Sequence, residues 1–269
     1  RKIEIPLPDA PAREGILSAL SAKYGLGATP HTVSSVAQLW ERRSAAFIEA
    51  VCKRVRDDMA RQALRSAEPA QFKAAARALS RREGAIPKTG TPLSQQVLPA
   101  ATMRDAQSIV YRLRHWETLA ERGGSAPKGV LLYGPPGTGK THMVRSIALE
   151  LGDWHVFEVK TADILHDPRR FQAAIDTACE HRPAIVFIDE ADDLLRDRSV
   201  SVHATATNEI LKVMDGLMGC VPELVFFAAT NQQDAIDAAA KRGGRFGERL
   251  FLDLLRGEDL VAFAHAEMA

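Results

Sequence analysis

One stretch, GVLLYGPPGTGKTHMVRSIALEL at 129–151, constrains this chain more than any other. The apolar run GVLLY reads as a buried strand, and HMVRSIALEL reads as a helix. Between them GPPGTGKT, 134–141, matches the pattern G-x-x-x-x-G-K-[ST]. Glycines in such a loop let the backbone curl so that successive N–H groups point inward, and the helix N-terminus adds its dipole. Lys140 is placed to reach the β- and γ-phosphates of a nucleotide, and the Thr141 hydroxyl to ligate Mg²⁺. A strand that must run straight into a helix through eight loop residues belongs to an alternating α/β architecture.

The sequence on either side agrees. HVFEVK (155–160), AIVFID (184–189), LVFFAAT (224–230) and LFLDL (250–254) are further apolar runs, each bounded by turn residues. Helical segments separate them, among them 171–179 and 205–217. Near-continuous apolar strands between helices predict a parallel sheet covered on both faces. Such sheets bind ligands at the carboxyl ends of their strands. Asp189 ends one of these runs, 48 residues after Thr141, and Glu190 follows it. Asp189 can hold Mg²⁺ through water there, and Glu190 can polarise an attacking water.

The first third has a different texture. Ile3 and Ile5 alternate with polar residues as a short edge strand would, and Pro6 and Pro8 stop the ladder. Four amphipathic helices then follow. Asp9 is read as the cap of the first, Thr32 of the second and Ser44 of the third, and Pro69 lies in the first turn of the fourth. Their apolar stripes, such as Phe47, Ile48, Val51, Val55 and Met59, predict a small helical bundle. The stretch 84–99 is rich in Gly, Pro, Ser and Thr, shows no period and reads as a linker. A helix from a Thr102 cap to about Glu121 leads into the α/β part.

A formal net charge of +1 gives no general pull toward nucleic acid, anionic membrane or acidic substrates. Three cysteines, Cys52, Cys179 and Cys220, are widely separated and lack metal-ligand spacing, as expected of free thiols in a reducing cytosol. No apolar run approaches a membrane span. The expectation from the residues is a cytoplasmic protein that engages neither membrane nor nucleic acid.

With these motifs the chain resembles an AAA ATPase of the AAA+ superfamily, and within it the tandem-module Cdc48/p97-like group. The likeness extends over nearly the whole sequence. Asn231, in FFAATNQQD, matches the residue that orients the attacking water in that family, and KRGGRF (241–246) resembles its R-x-x-R-F segment. Arg242 and Arg245 then match the arginine fingers, which act on the nucleotide of a neighbouring subunit. The resemblance implies a P-loop NTPase parallel sheet flanked by helices, preceded by an all-α four-helix lid-type subdomain. It implies ATP/ADP and Mg²⁺ as ligands. Gly134, Pro135, Pro136, Gly137, Thr138, Gly139, Lys140, Thr141 and His142 would contact the nucleotide, and Thr141 and Asp189 the metal. Glu190, Asn231, Arg242 and Arg245 would carry hydrolysis.

The same likeness suggests an origin for the opening strand. Shifting Arg1 onto Glu248 places Ile3 on Leu250, Ile5 on Leu252 and Leu7 on Leu254. Residues 1–83 then resemble the lid of a preceding module, 84–99 a linker, and 100–269 the large subdomain of the next module with the start of its own lid. A permuted module is the second reading. The implied assembly is a homo-oligomeric ring, a hexamer, that remodels a protein client or works through an adaptor. One departure stands out: LHDPRR, before Phe171, has no aromatic where the family carries a pore loop that grips threaded polypeptide. A regulatory or scaffold ATPase is therefore the alternative function.

Overall fold

The computed structural model describes residues 6–80, 90–152, 154–195, 204–218, 221–231 and 245–268. The opening strand and Arg242 lie outside the described residues. The chain divides into two compact units, one helical and one that holds the sheet.

The helical unit contains α1 (Ala10–Tyr24), α2 (Pro30–Leu39), α3 (Ala45–Gln62) and α4 (Pro69–Ser80). Asp9 caps α1 by accepting from the Ala12 N–H at 2.9 Å, and Ser44 caps α3 by accepting from the Phe47 N–H at 3.2 Å. The cap of α2 is Thr29 rather than the expected Thr32. Pro30 pre-sets the first helical residue, so the residue before it becomes the cap. The Thr32 N–H then donates to the Thr29 hydroxyl at 3.1 Å. The apolar stripes meet in a core of Leu17, Ile48, Val51, Val55 and Phe72, all fully buried. Trp40 packs edge-on against both Phe47 and Phe72.

The α/β unit opens with a 3-10 turn, Leu93–Gln95, followed by α5 (Ala100–Arg114) and α6 (Trp116–Glu121). These two replace the single helix expected from Thr102, because His115 leaves helical geometry at φ −107° and ψ 28°. Thr102 sits inside α5, and its hydroxyl donates to the Phe251 carbonyl at 3.1 Å instead of capping. Next come β1 (Gly129–Tyr133), α7 (Lys140–Leu151), β2 (His155–Lys160), α8 (Thr161–His166), α9 (Pro168–Glu180) and β3 (Ala184–Asp189). The remaining elements are α10 (Asp192–Leu195), α11 (Ala204–Leu217), β4 (Leu224–Thr230), β5 (Glu248–Phe251) and α12 (Gly257–Met268). Of the stretch read as a linker, residues 90–98 pack on α7. Leu93 is buried, its N–H donates to Glu150 Oε1 at 3.1 Å, and the Gln96 amide donates to the Ser146 hydroxyl.

All five strands are parallel, in the order β2-β3-β4-β1-β5. Every residue of the central strand β4 is buried, as a strand covered on both faces requires. Ile109 from α5 and Val144 and Ile147 from α7 pack with Leu132, Phe187 and Phe227 of the sheet. The last strand begins two residues before the expected LFLDL run and ends at Phe251. Its partner β1 stops at Tyr133, where the chain turns into the Gly134 loop, so the ladder has nothing further to pair with. Among the described residues no helix is long and apolar enough to cross a membrane.

Candidate functional site

Three strand ends converge. Gly134 follows β1, Asp189 closes β3 and Asn231 follows β4, which lies between them in the sheet. The loop after β1 can turn only because of its first residue. At Gly134 φ is +148°, and a Cβ there would stand 1.9 Å from the Leu252 carbonyl oxygen, so no other side chain fits. Gly139, at φ +80°, supplies the left-handed turn that starts α7 at Lys140.

Lys140 is buried, and its ammonium donates to the Gly134 and Pro135 carbonyls at 2.9 and 2.7 Å. Burial pushes its pKa down, while the nearby carboxylates of Asp192 and Asp189 oppose the shift. One residue further along, the Thr141 hydroxyl donates to Asp189 Oδ2 at 3.0 Å. A hydroxyl paired with a carboxylate beside a phosphate loop is an all-oxygen donor set, which suits a hard cation such as Mg²⁺. Asp189 is itself positioned twice: its Oδ1 accepts from the Glu190 N–H at 2.9 Å, and its carbonyl accepts from the Thr161 hydroxyl at 2.9 Å. Glu190 adopts φ +53°, a left-handed conformation uncommon for a residue with a side chain.

Lys140, Thr141, Asp189, Glu190 and Asn231 all line one cavity of about 550 Å³. Pro136, Gly137, Gly139 and His142 border it as well. Gly137, Gly139 and His142 also border a second cavity, about 530 Å³, whose wall includes Leu98, Pro99, Met143, Leu252 and Phe263. A polar, carboxylate-lined compartment thus shares a rim with an apolar one, as a phosphate chain attached to a flat base requires.

Arg245 lies elsewhere. Its guanidinium makes a two-pronged ion pair with Asp215 of α11, Nε to Oδ1 and Nη2 to Oδ2, both at 2.6 Å. Its carbonyl oxygen crowds Gly129, at the amino end of β1, and a Cβ on Gly129 would stand 1.7 Å away. The phosphate loop is at the opposite end of that strand, about 16 Å off for five residues. Arg245 therefore does not serve the cavity of its own chain.

The sequence reading missed three residues around the cavity. Arg145 lines it from the second turn of α7. Thr161 bonds the end of β3, and Asp192 accepts from both the Thr230 hydroxyl and the Asn231 N–H. Asp192 was visible in the run AIVFIDEAD, but only as one more carboxylate past a strand end.

The family model for "ATPase family associated with various cellular activities (AAA)" matches residues 130–254, from β1 through the segment after β5. The chain carries an AAA ATPase domain. It is 34% identical over 192 residues to the ATP-dependent zinc metalloprotease FTSH 6, chloroplastic, of Oryza sativa, covering 66% of this chain and 28% of that protein. It is 37% identical over 152 residues to the Cell division cycle protein 48 homolog of Archaeoglobus fulgidus, covering 54% and 20%. With the ATPase family AAA domain-containing protein 2 of Mus musculus it shares 38% over 160 residues, 55% of this chain and 15% of the relative. The chain thus spans less than a third of the length of these relatives. What the match identifies is a nucleotide-binding, ATP-hydrolysing domain, and its parallel five-stranded sheet is the fold expected of one.

Proposed function

We propose that this domain hydrolyses Mg²⁺-bound ATP to ADP and phosphate within a ring of like subunits, and that hydrolysis remodels a protein client. The observation that carries the chemical part is the gathering of Lys140, Thr141, Asp189, Glu190 and Asn231 around one cavity. In this reading the backbone of 134–141 cradles the β- and γ-phosphates, and the Lys140 ammonium exchanges its two carbonyl partners for phosphate oxygens. Thr141 and Asp189 hold Mg²⁺, which when bound neutralises charge between those phosphates. Asn231 orients a water, and Glu190 accepts its proton as the oxygen bonds to the γ-phosphorus and the bond to the β-phosphate oxygen breaks. The apolar compartment takes the base.

Ring assembly is supported by the position of Arg245 at the far end of β1, where only another subunit's phosphates are in reach. Arg242 and Arg245 are accordingly assigned to the neighbour's site, with the Asp215 pair opening or orienting Arg245. Mixing Arg245→Ala subunits with Lys140→Ala subunits tests this. Partial recovery of turnover is expected if the arginines act across subunits, and no recovery in freely exchanging rings would refute it. A hexamer working in the cytoplasm is the assembly this reading favours. Residues 1–83 are read as a lid-type unit of a preceding module, 84–99 as a linker, and 100–269 as the large subdomain with the start of its own lid.

One observation favours a second reading, a regulatory or scaffold ATPase. The aromatic-free segment before Phe171 is almost wholly helical, with only Asp167 between α8 and α9, and Asp167 Oδ1 accepts from the Arg169 N–H at 3.1 Å. So short a junction offers little to grip a polypeptide. Turnover stimulated by an unfolded protein substrate supports remodelling. Turnover indifferent to every polypeptide, with assembly still controlled by nucleotide, supports the scaffold.

A further inference from the structure

Glu190 and Asn231 come from different strands, and nothing within either strand sets the distance between them. The cross-link is Asp192. Its Oδ1 accepts from the Thr230 hydroxyl at 2.5 Å and from the Asn231 N–H at 2.9 Å. A second link lies one residue back, where the Ala191 N–H donates to the Ala229 carbonyl at 2.8 Å. The turn carrying Glu190 is thereby tied to the last residues of β4 at two successive positions.

Both halves of this clamp need it. Glu190 is held at φ +53°, which a turn keeps only when its surroundings over-determine it. Asn231 stands just past the last paired residue of β4, because the ladder with β1 ends at Tyr133 and Thr230. Its backbone N–H has no strand partner in that ladder, so the Asp192 carboxylate is what directs the residue. The Thr230 hydroxyl is buried, which makes its bond to a charged acceptor costly to lose.

We infer that Asp192 is a positioning residue for hydrolysis: it sets Asn231 against Glu190 across the attacking water and contacts neither nucleotide nor metal. This rests on the proposed roles of Glu190 and Asn231. It makes a specific demand of the kinetics, since Asp192 should act through Asn231 and on turnover rather than on binding.

The test is a double-mutant cycle on the whole chain, read as kcat and KM for ATP, with ADP affinity and thermal melting alongside. Asp192→Ala is expected to lower kcat by about ten- to a hundredfold, as misplacement of a reacting geometry does, with KM and ADP affinity nearly unchanged. Asp192→Asn keeps an acceptor oxygen and is expected to recover most of that loss. In an Asn231→Ala background, Asp192→Ala should cost no more than about a further twofold, because its route of action is already gone. Thr230→Val, which keeps the shape and removes one donor, should lower kcat several-fold and supplies the measurement if Asp192→Ala fails to fold. Losses that multiply in the double mutant would overturn the inference, as would an Asp192→Asn variant as slow as Asp192→Ala or a loss confined to KM. Full turnover in Asn231→Ala would instead strike at the role given to Asn231 itself, whatever the Asp192 variants do.

Discussion

The helical unit and the α/β unit bury charge in opposite ways. In the first, Arg13 is only 2% exposed, and the unit consumes all of its donor capacity. Nε donates to the Ala37 carbonyl at 2.9 Å, Nη1 to the Pro8 carbonyl at 2.9 Å and Nη2 to Glu41 Oε2 at 2.6 Å. Cys52 is likewise sealed in the core, and burial pushes its thiol up to about 12, far from reactivity. In the second unit, Lys140, Asp189 and Asn231 are held at one end by backbone or neighbouring side chains, yet border an open cavity. A buried charge that spends itself on its own chain is architecture. A charge held in place with a face left toward a cavity is available for chemistry, and both kinds come from the same residue types.

That contrast can be broken most sharply at Glu190. Glu190→Gln keeps the Lys140 and Thr141 contacts and is expected to lower turnover on the order of 10²–10⁴-fold. Nucleotide affinity, read with a fluorescent ADP analogue, should be nearly unchanged, as should the melting temperature. Lost binding with preserved turnover would end the assignment. The mirror experiment is Phe72→Ala in the helical core, expected to cost about 3–5 kcal/mol of that unit's stability in denaturant unfolding. If the comparison holds, the surviving folded protein keeps its kcat, and a parallel collapse of kcat would show that the first unit has a part in the chemistry.

Smaller changes sharpen it. Arg13→Met leaves Glu41 and two carbonyls without their donor and should cost about 1–3 kcal/mol, again without changing KM. Ser44→Ala removes the cap of α3, whose hydroxyl oxygen accepts from the Phe47 N–H at 3.2 Å, and should cost about 1 kcal/mol. A shift in the denaturation midpoint with an unchanged slope is the expected signature of both.

Much of the site was legible because its logic is local. GPPGTGKT between a strand and a helix demands glycines at defined offsets, and β1, β2, β3 and β4 begin and end where the apolar runs do. The helix stripes of the first unit likewise became its core. Boundaries slipped where a neighbour outside the segment decided them. Thr102 reads as a cap by composition, but the Phe251 carbonyl, 149 residues away, takes its hydroxyl. β5 ends at Phe251 because β1 ends at Tyr133.

The largest gap between sequence and structure is at Asp192 and Arg245. In the linear chain Asp192 is one acidic residue among several after AIVFIDE, and Arg245 is one of two arginines around a glycine pair. Local propensity and spacing determine the phosphate loop, the strands and the four helices, because hydrogen bonding within three or four residues and the burial period are properties of short segments. Which carboxylate ties β4 to the turn after β3, and which end of the sheet an arginine occupies, depends on strand order. That order, β2-β3-β4-β1-β5, puts the third strand beside the fourth and the first beyond it, and only the folded sheet brings those residues to their partners.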